Sequence, residues 1–203
     1  MKAKISQHFR SRPGCNRLHE SERTWYHGRT YAAQNFDLSK IGNGFDQEGP
    51  GFYFSSDKTD AGSYAHPGGQ VATLKLAPRK VVSLTAKPKR PEVLRLMQAS
   101  PDYASHLENW DENPKKAEQI ALQSMLDQGP QKDVFIQVWY DFFRYDSQVW
   151  AQTMVALGYD GVLLQKNDGV EHFIAYDPNI IQVQSWEPYK QLESKPLRWV
   201  RRF

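Results

Sequence analysis

Cysteine is nearly missing from the 203-residue chain: Cys15 is the only one. It can close no internal disulfide and supply no multi-cysteine zinc site, and it fits a reducing compartment better than a secreted, disulfide-stapled framework. Long apolar runs are missing as well, and no window approaches the roughly 20 residues of a membrane span. The opening Met1-Lys2-Ala3-Lys4 has the charge of a signal peptide's first segment, but Ile5 to Arg10 supply no apolar stretch to complete one, so a cytoplasmic location with no membrane partner is expected. The six histidines are scattered and form no H-E-x-x-H or paired ligand spacing, so no metal is expected. No G-K-[ST] follows the glycines at 42, 44, 49 and 51, and they do not open a long helix after a strand. Phosphate-loop readings are therefore weak.

Aromatic residues are well represented at 13%, and hydrophobic residues reach 39%, enough for a globular core despite a mean hydropathy of -0.70. Lys and Arg number 26 against 23 Asp and Glu, a formal net charge of +3, but the basic residues are segregated. Lys2, Lys4, Arg10, Arg12 and Arg17 precede the first acid, Glu20. Lys75, Arg79, Lys80, Lys87, Lys89 and Arg90 lie in an acid-free stretch from Gln70 to Pro91, and Lys195, Arg198, Arg201 and Arg202 end the chain. On one face these stretches would hold a polyanion; spread over the surface they would merely balance the acids of the middle segment.

Residues 1–22 read as a basic arm, 23–190 as one domain and 191–203 as a basic tail. Short strands are expected at Trp25-Tyr26, Phe52–Ser55, Val71–Leu76, Val81–Leu84, Gly161–Gln165, Glu171–Tyr176 and Ile180–Trp186, with a helical turn over Thr30–Leu38. Ser56 or Asp57 is suited to cap a short helix reaching Tyr64 and Ala65. Helical spacing covers Lys115–Gln128 and then Asp133–Leu157, and Asn167-Asp168-Gly169 is a hairpin turn. Strands, then helices, then strands, with no alternating βα units, argue for an α+β fold with largely antiparallel sheets.

Three separated pieces carry candidate chemistry: Tyr26-His27-Gly28; Gly51-Phe52-Tyr53-Phe54 with Ala61 to Ala65 beyond it; and Glu171 opening the last strand but one. Taken singly, His27 reads as readily as a surface histidine, Tyr53 and Tyr64 as packing, and Glu171 as a solvated strand-edge carboxylate. As an ordered set they resemble the ADP-ribosyltransferase superfamily, in the His-Tyr-Glu branch shared by diphtheria-type toxins and the poly(ADP-ribose) polymerases. Tyr53 and Tyr64 keep that branch's eleven-residue spacing, and Gly158-Tyr159-Asp160-Gly161 and Tyr176 to Ile181 resemble the surroundings of the glutamate in bacterial and phage members.

The resemblance implies a split β-sandwich of two mostly antiparallel sheets around an NAD cleft, with flanking helices. It implies that His27 bonds the adenine-side ribose, that Gly28 presents its backbone to the nicotinamide amide, and that Tyr53 and Tyr64 sandwich the nicotinamide ring. Glu171 would stabilise the oxocarbenium-like centre formed when the nicotinamide–ribose bond breaks. Two positions depart from the pattern. Arg29 stands where the family has a small hydroxyl residue and would face the pyrophosphate, and Ala61 replaces a serine whose role Ser55 or Ser63 would take. Gly169, two residues before Glu171, removes the Glu/Gln-x-Glu signature and argues against arginine as acceptor. The function implied is NAD-dependent mono-ADP-ribosylation of a nucleic acid or protein by a toxin or effector, which leaves room for an antitoxin or inhibitor partner. The alternatives are an NAD glycohydrolase, and a catalytically silent nucleic-acid-binding module of the same fold.

Overall fold

The computed structural model describes residues 23–30, 35–42, 49–166 and 168–190. The basic arm and tail, and Gly44 of the glycine-rich stretch, lie outside the described residues. Seven strands form one hydrogen-bonded sheet in the order β4-β5-β6-β2-β1-β3-β7. They are β1 (Trp25–Arg29), β2 (Phe52–Ser55), β3 (Gln70–Leu76), β4 (Val81–Val82), β5 (Gly161–Gln165), β6 (Glu171–Ala175) and β7 (Ile181–Pro188). Only β4 and β5 run parallel. The fold is α+β and mostly antiparallel as expected, with the two expected sheets joined as halves of one at a single residue pair, Tyr26 with Ser55 between β1 and β2. Every residue of β1 pairs with β3, and every residue of β2 pairs with β6. The centre of the sheet is thus its weakest seam.

Alternation along the strands gives the sheet two apolar faces. Trp25, Phe54, Leu74, Phe173 and Ala175 come from both halves and meet in one aromatic core, with Trp25 edge-on to Phe173. On the opposite face Val162, Leu164 and Ile174 receive the helices. These are α2 (Arg90–Gln98), α3 (Tyr103–Leu107), α4 (Pro114–Leu126), α5 (Gln131–Phe143) and α6 (Ser147–Ala156), whereas α1 (Lys58–Ser63) lies against β1 and β3, where Ala61, Ala65 and Val71 form a small cluster of their own. Asn113 caps α4 by accepting from the amides of Lys115 and Lys116, and Ala117, Ala121, Leu122 and Met125 form its buried stripe.

Several elements differ from the expectation. The long helix over Asp133–Leu157 is two helices, because Arg144 and Tyr145 adopt φ of 46° and 64°, and Asp146 then caps a new helix through the amides of Gln148 and Val149. The strand expected to reach Leu84 stops at Val82, since the Ser83 amide donates instead to the Gln131 side chain at 2.7 Å. Among the described residues of Thr30–Leu38, no helix precedes Leu38, where a 3-10 turn begins. Helices α2 and α3 were not expected. Asp160 staples the edge of the sheet by accepting from the Arg79 and Lys80 amides at 2.5 and 2.8 Å.

Candidate active site

One short capped helix and a frayed seam build this region. Past the Tyr26–Ser55 pair, β1 and β2 share no further ladder positions, and His27 bridges the gap with its side chain. Its Nδ1 lies 2.7 Å from the Tyr53 carbonyl oxygen. A carbonyl only accepts, so Nδ1 carries the proton and Nε2 keeps the lone pair. Burial pushes the imidazole down to about 4, with the Tyr53 carbonyl opposing that shift and Arg29 adding to it, so His27 is neutral near pH 7. Phe36 and Phe54 pack against its ring at 5.0 and 5.5 Å between centroids.

Gly28 points to the other face, under α1. A Cβ placed on it would overlap the Ala61 carbonyl oxygen and crowd the Ala65 amide, so a side chain has no room there. Helix α1 starts where expected, with the Asp57 carboxylate accepting from the Asp60 amide at 2.8 Å. Tyr64 closes it and is 59% exposed, unusual for so large a ring. Tyr53, on the α1 face of β2, is half-buried beside the helical core, and its hydroxyl donates to the Gly49 carbonyl. Ser55 is buried, and its hydroxyl accepts from the Asp57 amide at 3.0 Å. The Arg29 guanidinium stacks over Phe36 and Trp186, 4.3 and 4.8 Å from their ring centres, and burial lowers its affinity for its proton.

Glu171 is the first residue of β6, beside the end of the seam. Its amide donates to the Ser56 hydroxyl at 2.9 Å, and its carbonyl accepts from the Ser56 amide at 2.8 Å. Its carboxylate, a quarter exposed, forms an ion pair with Arg23, whose guanidinium also lies over the Trp25 ring. By strand alternation Glu171 and His27 lie on the aromatic-core side, while Tyr53 and Ser55 lie on the α1 side. The structure thus joins His27 to Tyr53 directly and holds Gly28 beneath the helix that Tyr64 ends. Glu171 is held by Ser56, by Arg23 and by its pairing with Gln165 on β5, with no direct bond to the other candidates.

Sequence reasoning missed Arg23, Asp60, His172 and Trp186, and offered Ser56 only as a helix cap, whereas it bonds the Glu171 backbone. His172 is buried on the α1 side, and its Nε2 lies 2.7 Å from the Asp60 carboxylate. Among the described residues, no group of three or more His, Cys, Asp or Glu is placed to hold a metal ion, and no helix is long and apolar enough to cross a membrane.

An α+β fold on a split, mostly antiparallel sheet is the fold of the ADP-ribosyltransferase class. A model of the family described as ADP-ribosyltransferase in polyvalent proteins matches residues 23–186, and the chain belongs to that family. No curated protein and no solved structure matches the chain.

Proposed function

We propose that the protein is an NAD-dependent mono-ADP-ribosyltransferase acting as a toxin or effector. The observation that carries this reading is the setting of Glu171, a partly buried carboxylate with its backbone held by Ser56 and its side chain already turned to a cation. A planar, delocalised cation is what the ribosyl centre becomes as its bond to nicotinamide lengthens. The C1′–N1 bond breaks with its electron pair going to nicotinamide, which leaves neutral. The acceptor's nucleophile then bonds C1′ and gives up its proton. A fixed carboxylate strengthens its interaction as that charge grows, and so lowers the barrier more than it stabilises bound NAD.

The residues present fit NAD. Neutral His27 offers Nε2 as an acceptor for a ribose hydroxyl, and the exposed Tyr64 ring offers a face to the cationic pyridinium. Tyr53 would be the second wall and Gly28 the backbone contact of the nicotinamide amide, with Arg29 toward the pyrophosphate and Ser55 in place of the family's amide-binding serine. Arg23 must leave the Glu171 carboxylate as the ribose arrives.

A nucleic-acid acceptor is favoured by the acid-free segment. Lys87, Lys89 and Arg90 are exposed, and so are Arg79 and Lys80, although these two also pair with Asp160 and Glu92, whose carboxylates accept from the turn amides and from Tyr159 and Gln131. A run of exposed cations suits a phosphate backbone. The test incubates the protein with NAD labelled in the ADP-ribose and a cell lysate, followed by separate protease and nuclease digestion. Label released by nuclease supports this reading, and label released by protease alone makes the acceptor a protein. Free ADP-ribose without macromolecular label makes the enzyme a glycohydrolase, and no nicotinamide release overturns the transferase reading.

A further inference from the structure

Helix α1 has six residues, too few to persist without tertiary ties. Its position is therefore decided by what it touches. One side rests on β1, where Ala61 and Ala65 close over Gly28. The other is tied to β6 by the Asp60–His172 hydrogen bond of 2.7 Å. His172 follows Glu171 directly, and its side chain is only 9% exposed, so its donor would be costly to leave without a partner. Asp60 and Tyr64 stand four residues apart, at the spacing that puts two side chains on one helix face. The face that Asp60 turns to β6 is thus the face from which the Tyr64 ring projects.

We infer that Asp60 and His172 are a positioning pair that sets the Tyr64 ring against the strand opening on Glu171, so that the nicotinamide wall and the carboxylate keep a fixed separation. This rests on the reading that NAD binds between them. The pair acts through Tyr64, whereas the Glu171 backbone is held independently by Ser56. Loss of the pair therefore weakens NAD binding more than it slows the bound complex.

The test is a double-mutant cycle read in NAD affinity by titration calorimetry, with nicotinamide release measured in parallel. Asp60→Ala is expected to raise Kd and KM by about three- to tenfold, the effect of one net hydrogen bond, with a smaller change in kcat. In a Tyr64→Ala background the same substitution is expected to change Kd by less than about twofold, because the wall it positions is gone. Asp60→Asn, whose side-chain carbonyl still accepts from the imidazole, is expected to stay near wild type. Should Asp60→Ala fail to fold, Asp60→Glu takes its place, keeping the charge and moving the carboxylate by one methylene. Equal losses in both Tyr64 backgrounds, or a fall in kcat with Kd unchanged, would overturn the positioning role while leaving the transferase reading intact. A wild-type protein that neither binds nor cleaves NAD would overturn both.

Discussion

His27 bonds the Tyr53 carbonyl through Nδ1 and sits among aromatic rings, and both facts follow from its place at the open seam of the sheet. The first fixes its tautomer; the second keeps it neutral, and neutrality ties stability to pH. Unfolded, the imidazole titrates near 6.5; folded, near 4, so the unfolded chain takes up the proton first as pH falls. The stability contributed by neutral His27 is complete above pH 6.5 and is lost progressively toward pH 4, with an upper limit on the order of 3 kcal/mol. Denaturant midpoints between pH 7 and 4.5 are expected to fall less steeply for His27→Gln than for wild type; parallel curves would remove His27 from this linkage. On the proposed reading, Glu171 is coupled to charge on the substrate. Glu171→Gln keeps the shape and removes the charge, so nicotinamide release is expected to drop by about 10²–10³ while NAD affinity stays within about twofold. Release at near wild-type rate would leave Glu171 without a catalytic role.

At the scale of elements, Gly28 shows how one residue serves fold and site together. The resemblance assigns its bareness to the nicotinamide, whereas the structure gives a second reason, the closeness of α1. Gly28→Ala is therefore expected to cost stability without any ligand, about 1–3 kcal/mol from overpacking, seen as a lower melting temperature of the free protein. A substitution that lost NAD affinity with an unchanged melting temperature would assign Gly28 to the ligand alone. The strands were legible in the sequence because Phe52-Tyr53-Phe54 is a short aromatic run and Leu74 and Leu76 alternate with Thr73 and Lys75, and the cap of α1 because Asp57 precedes a short helical stretch. The break between α5 and α6 was not, since neither glycine nor proline marks it and Arg144 and Tyr145 enter the left-handed region without either. Helix α2 was hidden behind Lys87-Pro88-Lys89-Arg90-Pro91, which reads as a turn although Pro91 stands in the helix's first turn, where proline is tolerated. The candidate site divides similarly. Its ordered motif was readable, but Ser56, Asp60 and His172 acquire their roles from the register of β2 against β6, which no local pattern encodes.

Across the whole molecule, the two halves of the sheet are unequally joined. Trp25 to Arg29 make five register pairs with β3, and Phe52 to Ser55 make four with β6, while β1 and β2 share the single Tyr26–Ser55 pair and the His27 side-chain bond. The aromatic core holds the halves from one face and α1 spans them on the other, through Gly28 on β1 and His172 on β6. Opening of the seam breaks few backbone hydrogen bonds, so it is expected to be a low-energy local motion, separate from global unfolding. Hydrogen exchange can resolve the two. In the free protein, amides of residues 27, 28, 53 and 54 that face the seam are expected to exchange faster than those in the β1–β3 and β2–β6 ladders. Any ligand that binds only the folded state slows global exchange, by about 2.7 kcal/mol at a hundredfold excess over Kd. NAD bridging the halves should do more, slowing the seam amides by a larger factor than the outer ladders because it adds contacts where the sheet has fewest. Equal slowing in seam and ladders would place NAD away from the seam, and with it the chemistry assigned to His27 and Glu171.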